Sequence, residues 1–276
     1  MTQSAQPSTA PAALSRHLPT PPRRTGMLRT VTALLLREMS TTYGRSALGY
    51  LWAILEPVGG IALMTFIFSY AFRAPSLGTN FPLFFASGML PFMAYMDVSQ
   101  KIAVALRFSK ALLFYPGVTY MDAILARFLM AAMTQVMIAA LVLSGIILFF
   151  DLRVILDLPA LALGFFMAFS LALGIGTLNC YLLSTYPVWE RAWAILNRPL
   201  FIISCIFFVF DTIPQPYRDW LWWNPLVHLV GQVRHGVYAT YEAAYVSPLY
   251  VFSIALVTFA LGLLLLRRHH REIVNN

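Results

Sequence analysis

The chain has 276 residues, of which 59% are hydrophobic and only 11% charged. A soluble domain carries roughly 25% charged residues, so this one cannot clothe a water-facing surface and is expected to be an all-α polytopic membrane protein. Its net charge of +8 falls in short runs between apolar stretches rather than along one basic face, which fits an anionic membrane leaflet and excludes a nucleic-acid binder.

Residues 1–25 are rich in Pro, Ser, Thr and Ala and lack an apolar signal core, so they read as a disordered cytosolic tail. Residues 26–46 follow with Leu28, Val31, Leu35, Met39 and Thr42 on one helical stripe and Arg29 and Arg37 on the polar sides. That pattern predicts an amphipathic helix lying in the membrane surface and leading through Gly44 into the first span. A cytosolic helix without a membrane role is the alternative.

Residues 47–276 then hold six stretches near the roughly 20 apolar residues that a span needs: 49–72, 81–105, 124–150, 158–183, 192–210 and 248–266. With six spans both termini share one side. Only Arg73, Arg153, Arg218 and Arg234 of the 19 Lys and Arg then fall on the other side. By the positive-inside rule both termini are cytoplasmic.

Polar groups in the spans mark points of interest. Glu56, followed by Pro57, lies inside the first apolar run, where a carboxylate must face a cavity or pair with a neighbouring helix. Arg198 before Pro199 repeats the arrangement in the fifth, and Glu190 with Arg191 just ahead of it form a possible interfacial pair. The turn between spans two and three restarts a helix at Thr119, with Asp122 at capping-box spacing. Phe108, Phe114 and Tyr115 could make this turn a knob for a partner's groove, or the turn is a plain hairpin.

Between the fifth and sixth runs lies "IPQPYRDWLWWNPLVHLVGQVRHGVY", Ile213 to Tyr238. It is broken by Pro214, Pro216 and Pro225, rich in Trp, and carries an apolar stripe of Leu226, Leu229, Val230, Val233 and Val237. Two short helices dipping into the outer leaflet and returning are predicted, forming a lid or mouth of a pathway. An amphipathic hairpin on the membrane surface is the alternative.

No phosphate loop of the GxxxxGK[ST] type, no GxSxG and no HExxH is present, and the His residues lack metal-ligand partners, His269–His270 reading as a solvated basic tail. Cys180 and Cys205 lie in apolar runs and form neither a disulfide framework nor a zinc site. No catalytic residue and no metal site is expected.

Three blocks carry a family resemblance: "LLLREMSTTYGRSALGYLWAILEP", "FYPGVTYMDAILAR" and "SCIFFVFDTIPQPYRDWLWWNPLVHLVGQVRHGVY". From about Leu28 to the C-terminus the chain resembles the membrane subunit of ABC transporters exporting capsular polysaccharide from Gram-negative bacteria, the KpsM type, with the O-antigen exporter permeases close behind. The resemblance implies a six-span ABC-2 permease of the inner membrane that works as a homodimer with two copies of a separate ABC ATPase. ATP and Mg would bind that ATPase, and this chain would bind no cofactor. It implies a lipid-linked acidic polysaccharide as substrate, handed on to a periplasmic co-polymerase and an outer-membrane exporter.

By the same carry-over Phe108, Lys110, Phe114, Tyr115, Pro116, Thr119 and Asp122 belong to an ATPase-coupling turn. Sugar rings stack on aromatic faces, which makes Tyr50, Trp52, Tyr186, Trp189, Trp193, Trp220, Trp222 and Trp223 candidate substrate contacts. For any one of them an interfacial anchor is the competing role. Arg45, Arg191 and Arg198 are candidates for an anionic linker, because guanidinium groups donate in pairs, and Glu56 for contact along the path. Other cargoes of an ABC-2 permease, such as O-antigen or teichoic acid, stay open. A membrane transferase acting on lipid-linked sugar needs clustered carboxylates, whereas Asp97, Asp122, Asp151 and Asp157 are scattered.

Overall fold

A computed structural model of the protein describes residues 27–42, 47–110 and 118–275. Ten α-helices are named here in chain order: α1 Met27–Thr42, α2 Ala47–Ala71, α3 Phe81–Ala103, α4 Ala105–Phe108, α5 Tyr120–Phe149, α6 Leu158–Thr185, α7 Pro187–Ile203, α8 Tyr217–Trp222, α9 Pro225–Val237 and α10 Pro248–Asn275. There is no strand among the described residues.

The long helices start where their sequences provide caps. Asn80 accepts from the Leu83 N–H at 3.0 Å ahead of α3, and Asp157 from the Ala160 N–H at 3.0 Å ahead of α6. Thr119 and Asp122 form the predicted capping box at the head of α5. Two of the scattered aspartates therefore serve helix ends.

Among the described residues, five helices are long and apolar enough to cross a membrane: Leu51–Ala71, Phe81–Ala103, Tyr120–Phe149, Leu158–Thr185 and Pro248–His269. The predicted fifth run, 192–210, is not one continuous helix. Its helical part begins earlier, at Pro187, and stops at Ile203, and the chain turns through Cys205 in the left-handed region at φ 59°. The reason is that Ser204, Cys205 and Ile206 are buried against the rest of the protein.

Packing centres on α6, which lies against α3, α9 and α10. Glycines let two of these helices approach closely. A Cβ at Gly262 of α10 would sit 2.7 Å from the Leu178 nitrogen of α6, and one at Gly176 would sit 2.9 Å from the Ser99 carbonyl of α3. By contrast α2 keeps only 11% of its most apolar window buried, against 72% for α3, and α7 has no buried residue at all. Helix α1 packs along α5 through Val31.

Helix α9 does not float on the surface. Its stripe of Leu226, Leu229, Val230, Val233 and Val237 is buried against α3 and α6. Arg234 on the same face is 1% exposed, and its two terminal nitrogens donate to the carbonyls of Phe208 and Ile206, each at 2.7 Å. Its guanidinium lies over the Phe84 ring at 4.4 Å. This side chain holds the irregular turn after α7.

Replacing Arg234 by Met keeps the bulk but strands two buried carbonyls, each worth roughly 1–3 kcal/mol. The apparent melting temperature of the detergent-solubilised protein should fall by about 5–15 °C. Arg234→Lys should recover only part of this, since a single ammonium lacks the planar fork. A melting temperature unchanged in Arg234→Met would show that the turn is held by something else.

Candidate functional site

The candidate site is a groove of about 490 Å³ between α3, the end of α6 and α7. Helix α7 contributes Glu190, Trp193, Asn197 and Arg198; α3 contributes Phe92, Met96 and Gln100. Arg198 is exposed and makes no ion pair or hydrogen bond among the described residues. The side-chain carbonyl of Asn197 is buried without a hydrogen-bond partner among them. Both present unsatisfied polar capacity to the groove.

Two predicted tryptophans meet beside it. Trp189 and Trp193, one helical turn apart, stack with ring centroids 6.1 Å apart at 24°. Trp189 is fixed in place because its indole N–H donates to Asn179 Oδ1 at 2.9 Å, and Asn179 is buried in α6. Arg191 is exposed, and the expected pairing with Glu190 is not what forms. Glu190 Oε2 instead accepts from Arg107 Nη1 at 2.8 Å, from an element 83 residues away. Positions 190 and 191 are adjacent on a helix and point to different sides, so they do not face each other. Tyr186, at the joint between α6 and α7, is exposed and meets Tyr181 edge-on.

A second polar cavity of about 340 Å³ lies across α3, between it, α2 and α5. Here Asp97 Oδ2 accepts from Lys101 Nζ at 2.8 Å and from Gln135 Nε2 at 2.9 Å. Glu56 lines the same cavity beside Pro57. Met96 and Gln100 line both cavities. Trp52, a turn before Glu56, is 67% exposed on α2. Tyr50 lies in α2, and Arg45 falls outside the described residues.

At the far end, Trp220 and Trp223 are exposed while Trp222 is packed. The Trp222 ring stacks on Tyr250 at 5.0 Å and donates its N–H to the Tyr245 carbonyl at 3.1 Å, so it braces the cap. His228 Nε2 lies 2.8 Å from the Trp222 carbonyl, which can only accept, and Nδ1 accepts from the Ser247 N–H at 3.1 Å. Those partners require the neutral ring with its proton on Nε2. Burial lowers the His228 pKa, offset in part by the Trp222 carbonyl. Burial likewise pushes the Tyr241 phenol up to about 12.

At the turn between α4 and α5, Thr119 and Asp122 are tied together by their cap, and Phe108 lies under Arg127, whose guanidinium carbon is 3.7 Å from the ring centre. Lys110 is half-buried nearby. Phe114, Tyr115 and Pro116 lie outside the described residues.

Sequence reasoning missed Arg107, Asn179, His228 and Arg234. Arg234 left a signal, since it sits four residues after Val230 and three before Val237, on the apolar stripe itself. The Arg107–Glu190 pair left none, being long-range.

Comparison with known proteins gives a consistent picture. The family model "ABC-2 type transporter" matches residues 29–238. The chain is 33% identical to the polysialic acid transport protein KpsM of Escherichia coli over 247 residues, covering 90% of this chain and 96% of that one. It is 25% identical to the capsule polysaccharide export inner-membrane protein CtrC of Neisseria meningitidis over 252 residues, covering 89% and 92%. It is 26% identical to the capsule polysaccharide export inner-membrane protein BexB of Haemophilus influenzae over 250 residues, with the same coverages.

The neutral-ring geometry of His228 has a pH consequence. Its folded-state pKa is depressed below 6.5, so as pH falls past 6.5 the unfolded chain takes up a proton that the folded one refuses, and stability drops. Above that pH both states are neutral and the residue adds no slope. The parent should lose more melting temperature than His228→Gln between pH 7 and pH 5, followed by tryptophan fluorescence. Equal losses would mean that the ring is protonated without penalty.

Proposed function

The chain belongs to the ABC-2 type transporter family, and from that premise we propose that it is the permease subunit of an exporter of capsular polysaccharide. Its polymer is lipid-linked and acidic, and it crosses the inner membrane of a Gram-negative bacterium. Two copies form the path, α7 supplying the sixth crossing of each with both termini in the cytoplasm. Helix α1 flanks the substrate entrance, and α8 with α9 form re-entrant helices at the periplasmic mouth. A periplasmic co-polymerase and an outer-membrane exporter take the polymer onward.

The observation that carries this reading is α7. It presents Trp193, Asn197 and Arg198 to a groove and buries none of its 17 residues in its own chain. Seventeen residues rise about 26 Å, close to the hydrocarbon thickness, so the helix can cross once its polar side has another wall. An apolar-and-polar helix left bare by its own fold needs a second subunit or a water-filled passage beside it. Stacked indoles and an unpaired guanidinium suit sugar rings and an anionic group in turn.

The energy comes from a separate ATPase, because the sequence lacks a phosphate loop. The 108–122 turn is the place where that ATPase docks, its head rigidified by the Thr119–Asp122 cap.

Purified alone, the chain should hydrolyse no ATP; co-expressed with its partner ATPase, it should form a complex that does. Arg198→Ala should cut polymer export by roughly tenfold, as expected for losing about 1–2 kcal/mol of charge-assisted hydrogen bonding, with the ATPase still co-purifying. Export at the parental rate would make Arg198 a bystander, and ATP hydrolysis by the isolated chain would overturn the reading as a whole.

A further inference from the structure

Arg107 stands where three elements converge. It lies in α4, the single turn that leads into the 108–122 segment. Its Nη1 donates to Glu190 Oε2 at 2.8 Å, in the first turn of α7, and its Nη2 donates to the Leu183 carbonyl in the last turn of α6. The guanidinium therefore bridges the joint between α6 and α7 from the side of the segment that precedes it. Glu190 is favourably placed for this, since an acidic group at a helix N-terminus meets the positive end of the helix dipole.

The other attachments of α7 are few. Trp189 is tied to Asn179 of α6, and Phe201 meets Phe92 of α3 edge-on at 5.5 Å. Neither involves α4. Among the described residues α4 meets α6 by backbone packing, and its hydrogen bond to α7 is the one from Arg107 to Glu190.

We propose that Arg107 is a positioning residue that links movement of α4 to α7 through its paired hydrogen bonds to Glu190 and to the Leu183 carbonyl. The proposal rests on the reading above that an ATPase docks on the 108–122 turn. Half-exposed ion pairs contribute little to stability, so the pair's value is geometric. It sets the angle of α7 relative to α4 without anchoring the fold. The planar fork is essential to this, because one donor goes to each of two neighbouring helices.

The test uses the full chain with its ATPase in cells that make the polymer, each variant replacing the chromosomal copy. Surface carbohydrate is weighed against intracellular carbohydrate, and phosphate release from Mg-ATP is measured on the purified complex. Arg107→Glu should lower surface polymer per ATP hydrolysed by about fivefold to tenfold, with assembly and hydrolysis near parental values, and Glu190→Arg, which also alters the groove, should lower it at least as far. The double exchange, Arg107→Glu with Glu190→Arg, should recover export to within about threefold of the parent, and Arg107→Lys should fall between. Parental export from the single variants, joint loss of assembly and hydrolysis, or no recovery in the double exchange each overturns the role. Failure of the unaltered chain to co-purify with the ATPase would instead overturn the function itself, before any variant is read.

Discussion

A guanidinium sealed inside the protein, with no carboxylate to pair with it among the described residues, is the constraint on which the α7–α9 end of the structure depends. Burying a charge without compensation is costly. Arg234 meets that cost with two backbone carbonyls and an aromatic face, all supplied by parts of the chain that must come together for it. The carbonyls of Ile206 and Phe208 are free to accept only because α7 stops at Ile203. A helix continuing through residues 204–210 would spend those carbonyls on its own ladder. The position of one arginine on α9 and the shortness of α7 are thus the same fact seen from two sides.

From this follows a division of labour among the helices. Helices α3, α6 and α9 form a dense scaffold, with Gly176 and Gly262 allowing backbones to touch and Val233 packed against Gly164. Helices α2 and α7 are laid on that scaffold with most of their surfaces bare. On the proposed function these helices face the polymer, and such a wall cannot also be locked into a core, because tight packing resists the small shifts that opening requires. The polar residues follow the same division. Glu56, Asp97, Asn197 and Arg198 all face one of the two cavities flanking α3.

Much of this was legible in the residues, because the signals were local. The capping box at Thr119 and Asp122, the start of α9 at Asn224–Pro225 and the buried stripe beyond it all depend on spacings of two to four residues. Apolar length placed five crossings to within a few residues of the observed helix ends. Hydropathy set the bounds of the 192–210 run too late in the chain, since it registers how apolar a run is and not whether its backbone is helical. Phe207, Phe208 and Val209 are as greasy as a span but serve a turn packed in protein. The tryptophans were grouped by type, yet Trp222 braces the cap while Trp220 and Trp223 face outward. Burial of that kind is decided by partners such as Tyr245 and Tyr250, more than twenty positions along the chain.

The two ends of α7 are held by different physics, and this gives the helix its freedom. Its outer end runs into a turn clamped by buried hydrogen bonds in a low-dielectric setting, where each bond is strong and slow to exchange. Its inner end is held by a half-exposed ion pair and a pinned indole, interactions that water can replace at small cost. Between them no residue is buried. A rod fixed firmly at one end and lightly at the other can swing only about the firm end, so any tilt of α7 would be largest at Glu190 and smallest at Ile203. The groove residues Trp193, Asn197 and Arg198 lie between these extremes, where a modest tilt changes the width of the groove without breaking the clamp that Arg234 maintains.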